Sequence, residues 1–179
     1  MTAPAINLRP IELGDEAFLR QVYASTRAEE LAQVPWSPED KRRFIDWQFQ
    51  SQHSYYRDNY PGASFHIIVL DGVAAGRLYL HRREREIRII DIALLPGHRR
   101  KKVGSTLLRE LMAEARASGS LLSLHLESLN PARTLYERLG FKKAGENGIY
   151  ELLEWRPDSS PSGLPEASPT TADQNESQQ

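Results

Sequence analysis

The chain of 179 residues contains no cysteine. Disulfide bonds, zinc sites with cysteine ligands and a cysteine nucleophile are therefore excluded, and we expect no metal site. Long apolar runs are also missing, because no stretch approaches the roughly 20 residues that a membrane-spanning helix needs. The first residues, MTAPAINLRP, lack the apolar segment of a signal peptide. These absences predict a cytoplasmic protein without a membrane partner.

A large excess of charge is missing too, since the formal net charge is −1. The C-terminal segment 157–179 holds four acidic residues and no lysine or arginine, which leaves 23 basic against 20 acidic residues in the rest, or about +3. This excess is too small for a dedicated nucleic-acid-binding protein, and we expect no nucleic-acid partner. It is compatible with an anionic small ligand.

The same C-terminal segment has prolines at positions 157, 161, 165 and 169 and is rich in serine, threonine and glutamine. It carries too few apolar side chains to offset the entropy of folding. We therefore expect one folded domain over residues 1–156, followed by a disordered tail over residues 157–179.

Apolar periodicity predicts a mixed α/β domain with the order β-α-α-β-β-β-α-β-α-β-β. Turn and capping residues mark several boundaries: Asp15 and Ser37 as N-caps, Asp71-Gly72 as a hairpin turn, and Asn130 as the N-cap of a short helix. The predicted strands lie at 6–11, 65–70, 73–81, 87–95, 121–126, 141–144 and 149–155. The first predicted helix begins at Asp15, with a pattern that weakens at Ser25-Thr26 and resumes at Leu31, and the other predicted helices lie at 37–56, 104–118 and 131–139.

The stretch from Leu94 to Leu108, LLPGHRRKKVGSTLL, joins a strand to a helix through a basic turn. The free N–H groups of a helix's first turn favour an anion, and the basic side chains add long-range attraction. The stretch therefore indicates a site for a phosphate-bearing ligand or, with equal weight, a solvated basic loop.

Aromatic side chains are concentrated between residues 36 and 65, which hold eight of the fifteen in the chain. They either line a pocket or pack in the core with a few half-exposed rings. The sequence leaves both interpretations open.

Two motifs resemble those of the GNAT superfamily of acyl-CoA-dependent N-acetyltransferases. IDIALLPGHRRKKVGSTLLRELM, residues 90–112, is similar to the family's coenzyme-binding strand, loop and helix. NPARTLYERLGF, residues 130–141, is similar to its second coenzyme motif. With the element order, the resemblance covers residues 5–156.

The resemblance implies transfer of an acetyl group from acetyl-CoA, as co-substrate, to a primary amine by direct attack in a ternary complex. The implied acceptor is an amine-bearing small molecule or peptide, and the implied assembly is a monomer or homodimer. A non-catalytic GNAT-like module that binds an acyl-CoA or a partner protein is the alternative. It is motivated by Lys102, which stands where the family's loop has a glycine that tolerates positive φ.

The resemblance also implies the residues that hold the coenzyme. The strand end would contact the pantetheine arm, the loop and helix start would bind the pyrophosphate, and two residues of the second motif would complete the site. These residues are Ala93, Leu94, Leu95, Arg99, Arg100, Lys101, Lys102, Val103, Gly104, Ser105, Asn130 and Tyr136.

Three side chains are candidates for acid–base catalysis. Tyr136, placed by the motif near the coenzyme sulfur, would be the general acid for the leaving thiolate, because a phenol is protonated at neutral pH. The base that deprotonates the amine would be His125, on the predicted strand 121–126. Glu127 follows this strand on the same face and could serve instead, or could orient His125. His125 is the preferred candidate. Asp91 and Arg88 are further candidates for substrate contact.

Overall fold

The computed structural model describes residues 3–157 of the protein, and the predicted tail beyond them lies outside the described residues. The strands are β1 (Ile6–Pro10), β2 (Ser64–Leu70), β3 (Val73–Arg82), β4 (Glu86–Leu94), β5 (Leu121–Glu127), β6 (Lys142–Asn147) and β7 (Tyr150–Trp155). The helices are α1 (Glu16–Ala32), α2 (Pro38–Asn59), α3 (Val103–Ser118) and α4 (Arg133–Arg138). The predicted fold class and element order are confirmed.

The seven strands form one mixed sheet in the order β1-β2-β3-β4-β5-β7-β6. Neighbouring strands are antiparallel except for β4 and β5, which are parallel. Helix α3 connects these two strands, since a parallel pair requires a crossover. Between residues 3 and 157, no helix is both long and apolar enough to cross a membrane.

Helices cover the sheet on both faces, and each face has its own apolar core. Leu107, Leu108 and Leu111 of α3 pack with Leu122 and Leu124 of β5 on one face. On the other face, Leu19 and Tyr23 of α1 and Phe49 of α2 pack on Ile67 and Tyr79. We call these the α3 face and the α1/α2 face. The nearly apolar sequence of β4 follows from this double coverage.

The predicted helix starts differ in accuracy. Ser37 caps α2 as expected, because its hydroxyl accepts a hydrogen bond from the Asp40 N–H at 3.1 Å. Asp15 occupies the N-cap position of α1 but makes no capping hydrogen bond. Its carboxylate instead accepts two hydrogen bonds from Arg9, at 2.7 and 2.8 Å, and one from the Glu12 N–H at 2.8 Å. The capping prediction for Asp15 was wrong because its carboxylate closes the short turn before α1 and pairs with Arg9, and so does not accept from the first N–H groups of α1.

The short helix α4 begins at Arg133, later than the predicted start at Pro131. Asn130 is not its N-cap, a position that Ala132 occupies. The Asn130 side chain instead accepts a hydrogen bond from the Ala132 N–H at 2.9 Å. This Asx-type turn fixes the segment that leads from β5 into α4.

Strands β3 and β4 are joined by a buried ion pair. The Arg77 side chain is 3% exposed and its guanidinium lies 2.8 Å from the Asp91 carboxylate, whose side chain is 15% exposed. Gln52 accepts a second hydrogen bond from Arg77 at 2.9 Å, and the Tyr56 hydroxyl donates to Asp91 at 3.3 Å. The buried charges are therefore both paired and hydrogen-bonded, which is the condition under which they are tolerated.

Asp91→Asn should lower the free energy of unfolding by about 3–5 kcal/mol, because it leaves the buried Arg77 charge without a counter-ion. Urea titration of both proteins measures the difference. The double variant Arg77→Met/Asp91→Leu is the control, and we expect it to recover most of the loss because it removes both charges. Equal losses in the single and double variants would contradict this account of the pair.

Candidate active site

Strands β4 and β5 separate soon after they meet. In the described part of the chain, their parallel pairing covers only Glu86–Arg88 and Leu121–Ser123. A bulge in β4 contributes to the separation, since Tyr79 pairs with Asp91 and Leu80 with Ile89, which leaves Ile90 as an extra residue. Beyond these points the two strands form a V-shaped opening in the sheet.

A cavity of about 310 Å³ occupies this opening. Tyr23, Arg27 and Tyr56 line it from the α1/α2 face, whereas Ala132 and Tyr136 line it from the segment around α4. The cavity therefore passes through the sheet and is lined from both of its faces. The volume is at the lower end of the range for small-molecule sites.

The β4 backbone presents an unpaired edge to the opening. Leu94 lies opposite Gly76, and the Leu95 N–H donates to the Ala75 carbonyl at 2.9 Å. Because consecutive residues of an antiparallel strand direct their N–H groups to opposite sides, the Leu94 N–H points away from β3 and towards the opening. The Leu94 N–H is therefore placed to donate to a ligand, whereas the Leu95 N–H is already engaged by Ala75.

The basic loop comes directly after β4 and leads into α3. The Arg99 side chain donates to the Leu94 carbonyl at 2.9 Å, which ties the loop to the end of β4. Arg100 and Lys102 have φ values of 61° and 62°, in the left-handed region that favours glycine. Lys102 thus adopts the positive φ for which the resemblance expects glycine, at a cost of roughly 1–2 kcal/mol.

Helix α3 begins immediately after Lys102, which makes no side-chain capping hydrogen bond. The first intrahelical bond is from the Thr106 N–H to the Lys102 carbonyl at 3.0 Å. The N–H groups of Val103, Gly104 and Ser105 precede it and have no intrahelical acceptor. Together with the exposed side chain of Lys101, they form a concave donor set suited to phosphate.

The predicted coenzyme residues fall into three groups. Ala93, Asn130 and Tyr136 line the cavity itself. Leu94 and Leu95, at the end of β4, follow the cavity lining, and the loop from Arg99 to Ser105 lies beyond them. An elongated ligand with an anionic end would be needed to contact all three groups.

Tyr136 is 5% exposed and packs edge-to-face on Phe141, with 5.4 Å between ring centroids. Burial and the nearby negative charge of Asp91 raise the pKa of Tyr136 to about 12. The phenol therefore remains protonated throughout the neutral range. Its O–H is therefore available as a hydrogen-bond donor inside the cavity.

His125 faces the cavity, but its ring is engaged by Arg88. The guanidinium of Arg88 contacts His125 Nδ1 and also donates to the Ser123 hydroxyl at 3.0 Å. Because a guanidinium only donates, the ring nitrogen that it contacts must accept. Burial and the Arg88 charge lower the pKa of His125. His125 is thus neutral, with its accepting nitrogen occupied.

Glu127, at the end of β5, lies on the same face as His125 and has a 37% exposed side chain. Arg27 Nη1 is 3.8 Å from its carboxylate and 3.0 Å from that of Glu30. Glu127 therefore shares its nearest cation with a second carboxylate, and its oxygens remain accessible from the cavity. Sequence reasoning missed Arg27 and Glu30, because no local motif marks residues that α1 brings over β5.

The aromatic segment contributes little to the cavity. Tyr56 lines it, together with its helix neighbour Gln52. Phe49 is buried in the core, whereas Trp36 and Trp47 are 46% and 65% exposed. The pocket interpretation and the core interpretation of this segment were each correct only in part, because one helix directs different rings towards the core, the cavity and solvent.

The chain is similar to known acetyltransferases in sequence pattern and in fold. The model of the Acetyltransferase (GNAT) family matches residues 19–141. The PaiA N-acetyltransferase from Thermoplasma acidophilum, solved in complex with coenzyme A, shares 20% identity at a TM-score of 0.65, over 85% of this chain and 99% of that one. An acetyltransferase from Thermus thermophilus shares 17% at a TM-score of 0.62, over 87% and 99%.

A third solved structure is the ribosomal-protein-S18-alanine N-acetyltransferase from Escherichia coli. It shares 20% identity at a TM-score of 0.55, over 89% of this chain and 99% of that one. At such identities these structures show a common fold. No curated protein sequence matches the chain.

The left-handed conformation at Lys102 generates a prediction with an internal control. Lys102→Gly should raise the free energy of unfolding by up to about 1 kcal/mol, because the strain removed exceeds the added backbone entropy. Lys101→Gly removes the same charge at a position without positive φ, and should lower stability by roughly 0.5–1 kcal/mol. Thermal or urea unfolding measures both. Equal destabilisation by the two variants would contradict the assigned strain.

Proposed function

The chain belongs to the GNAT family of acetyltransferases, and we propose that it transfers an acetyl group from acetyl-CoA to a primary amine in a ternary complex. The observation that carries the proposal is the cavity that passes through the sheet between β4 and β5. A thioester inserted from the side of α3 and α4 and an amine entering between α1 and α2 would meet there without a covalent enzyme intermediate.

The coenzyme would occupy the side of α3 and α4. The N–H groups of Val103, Gly104 and Ser105 and the cations of the basic loop would hold its pyrophosphate. Its pantetheine arm would extend along the free edge of β4, past Asn130, into the opening. The Leu94 N–H would then donate to the thioester oxygen and stabilise the negative charge that develops there.

The chemical step follows from these positions. The neutral amine attacks the thioester carbon, and the carbonyl oxygen gains negative charge in the tetrahedral intermediate. When the C–S bond breaks, the thiolate of coenzyme A takes a proton from Tyr136, and the phenolate recovers a proton from the attacking nitrogen as that nitrogen becomes the amide. The raised pKa of Tyr136 keeps the phenol protonated before the transfer and makes its phenolate a strong base for this recovery.

The amine arrives as an ammonium ion and must lose a proton. Glu127 is favoured over His125 as the acceptor of that proton, directly or through water. The accessible carboxylate of Glu127 faces the cavity, whereas the accepting nitrogen of His125 is occupied by Arg88. Glu127 and Glu30 would also attract the incoming ammonium electrostatically.

The acceptor class proposed is a primary amine on a small molecule or a peptide. One structural relative is described as acting on an alanine of ribosomal protein S18. That relative supports a peptide acceptor as one member of the panel to be tested, since a shared fold does not fix the substrate.

The proposal is tested by measuring thiol release from acetyl-CoA with polyamines, amino acids, aminoglycosides and peptides. We expect turnover with at least one amine, and Tyr136→Phe should lower kcat about 100-fold or more with little change in the dissociation constant of acetyl-CoA. Calorimetry supplies that constant. No binding at millimolar acetyl-CoA would overturn the enzyme proposal. Binding without turnover would favour the non-catalytic alternative, and an unchanged kcat would exclude Tyr136 as the acid.

The two candidate bases are separated by pH–rate profiles. Glu127→Gln should lower the plateau of kcat/KM by about 100-fold, whereas His125→Ala should change the plateau only a few-fold. The lowered pKa of His125 places its titration below the ordinary ~6.5, so it is already neutral at pH 7. The raised pKa of Tyr136 should leave no alkaline decline from this group near its ordinary pKa of ~10. Loss of the acidic limb in His125→Ala would reverse the assignment.

A further inference from the structure

Gly76 is a buried glycine in the middle of β3, directly opposite Leu94 of β4. A Cβ atom added to Gly76 would overlap the carbonyl oxygen of Ala93 and lie 3.0 Å from the Leu94 Cα. The obstacle is backbone, so no rotamer change can remove it. The peptide unit between Ala93 and Leu94 therefore rests directly on the Gly76 backbone.

The φ angle of Gly76 does not explain why this residue is a glycine. Gly62, Gly72 and Gly119 have positive φ values that suit turns and a helix end, but Gly76 has no positive φ. Gly14 and Gly104 would meet nothing within 4 Å if a Cβ were added. Gly76 thus differs from these glycines, because the neighbouring strand β4 leaves no room for a side chain at this position.

The contact fixes the direction of a functional group. A trans peptide unit is planar, with its C=O and N–H pointing in opposite directions. Since the Ala93 carbonyl is directed at β3, the Leu94 N–H is directed into the opening between β4 and β5. Any displacement of the carbonyl by a side chain at position 76 would move this N–H by a similar amount.

The residues on either side of Gly76 in β3 hold β4 in place, so β4 cannot easily move away from a side chain at position 76. The Ala75 carbonyl accepts a hydrogen bond from Leu95 at 2.9 Å. On the other side, the Arg77 guanidinium is bound to Asp91 at 2.8 Å. These two links hold β4 on both sides of the Ala93–Leu94 peptide unit. A side chain at position 76 would therefore displace that unit locally, and the whole strand would not move away.

We propose that Gly76 is a positioning residue that sets the location of the Leu94 N–H against the thioester carbonyl. This inference rests on the proposed function, in which that N–H stabilises the developing oxyanion. Displacing the donor weakens its interaction with the oxygen most strongly in the transition state, where the oxygen carries the most charge. The effect should thus appear in kcat and in recognition of the acetyl group, and not in binding of the rest of the coenzyme.

Gly76→Ala tests the proposal through two ligands that differ in one carbonyl group. Free coenzyme A lacks the thioester oxygen, so its dissociation constant should stay within about threefold of the wild-type value. The affinity for acetyl-CoA relative to coenzyme A should fall, and kcat should drop by about 10²-fold, the loss typical for one oxyanion donor. Calorimetry with both ligands and steady-state kinetics give these three quantities.

Leu80→Ala is the matched control, because Leu80 is a buried residue of the same strand, 1% exposed, and is not part of the proposed site. It should destabilise the protein at least as much as Gly76→Ala. Under conditions in which both variants are folded, Leu80→Ala should retain the wild-type kcat and the wild-type ratio of the two affinities. A shared loss in both variants would assign the effect to stability and overturn the proposal.

Other outcomes distinguish a failure of the positioning role from a failure of the proposed function. An unchanged kcat in Gly76→Ala, or equal losses of affinity for both ligands, would overturn the positioning role while leaving the proposed function intact. Absence of turnover by the wild-type protein would instead remove the proposed function and this inference together. Failure of Gly76→Ala to fold, measured by circular dichroism under conditions in which Leu80→Ala is folded, would assign Gly76 to the fold alone and overturn the proposal.

Discussion

The short parallel pairing of β4 and β5 is the constraint on which the candidate site depends. The two strands share only the pairs between Glu86–Arg88 and Leu121–Ser123 in the described part of the chain, and the bulge at Ile90 directs β4 away from β5. A sheet interrupted in this way leaves backbone donors and acceptors of both strands without their usual partners. Such groups need either water or a ligand, and the cavity between the strands provides room for a ligand.

Each neighbouring element contributes to keeping the opening in one shape. Strand β3 holds the far part of β4 through the Arg77–Asp91 pair and the Gly76 contact. At the apex of the opening, Arg88 links Ser123 and His125 on β5. The site is therefore rigid where backbone positions matter. Its charged side chains, Glu30 and Glu127, lie on the more exposed α1 side, where an acceptor would enter.

The fold could be predicted from the sequence because its signals are local. The apolar period of α3, the Asp71-Gly72 turn and the Ser37-Pro38 helix start act within a few residues of chain, and all were confirmed. The failed predictions involved a distant or competing partner. Asp15 was expected to cap α1, but Arg9 takes its carboxylate, and the aromatic segment divided between core, cavity and solvent according to how α2 packs.

By itself the sequence determined the order of elements, the basic turn before α3 and the presence of Tyr136 in a short helix after β5, since each depends on local spacing. Only the tertiary structure decided which of these groups can act together. It engaged the Leu95 N–H with Ala75 and directed that of Leu94 away from β3, and it placed Arg88 on His125 and Arg27 between two carboxylates. It also brought Gly76 against the Ala93–Leu94 peptide unit. The physical reason is that hydrogen-bond partners, pKa shifts and close backbone contacts arise between residues far apart in the chain, and no local pattern specifies them.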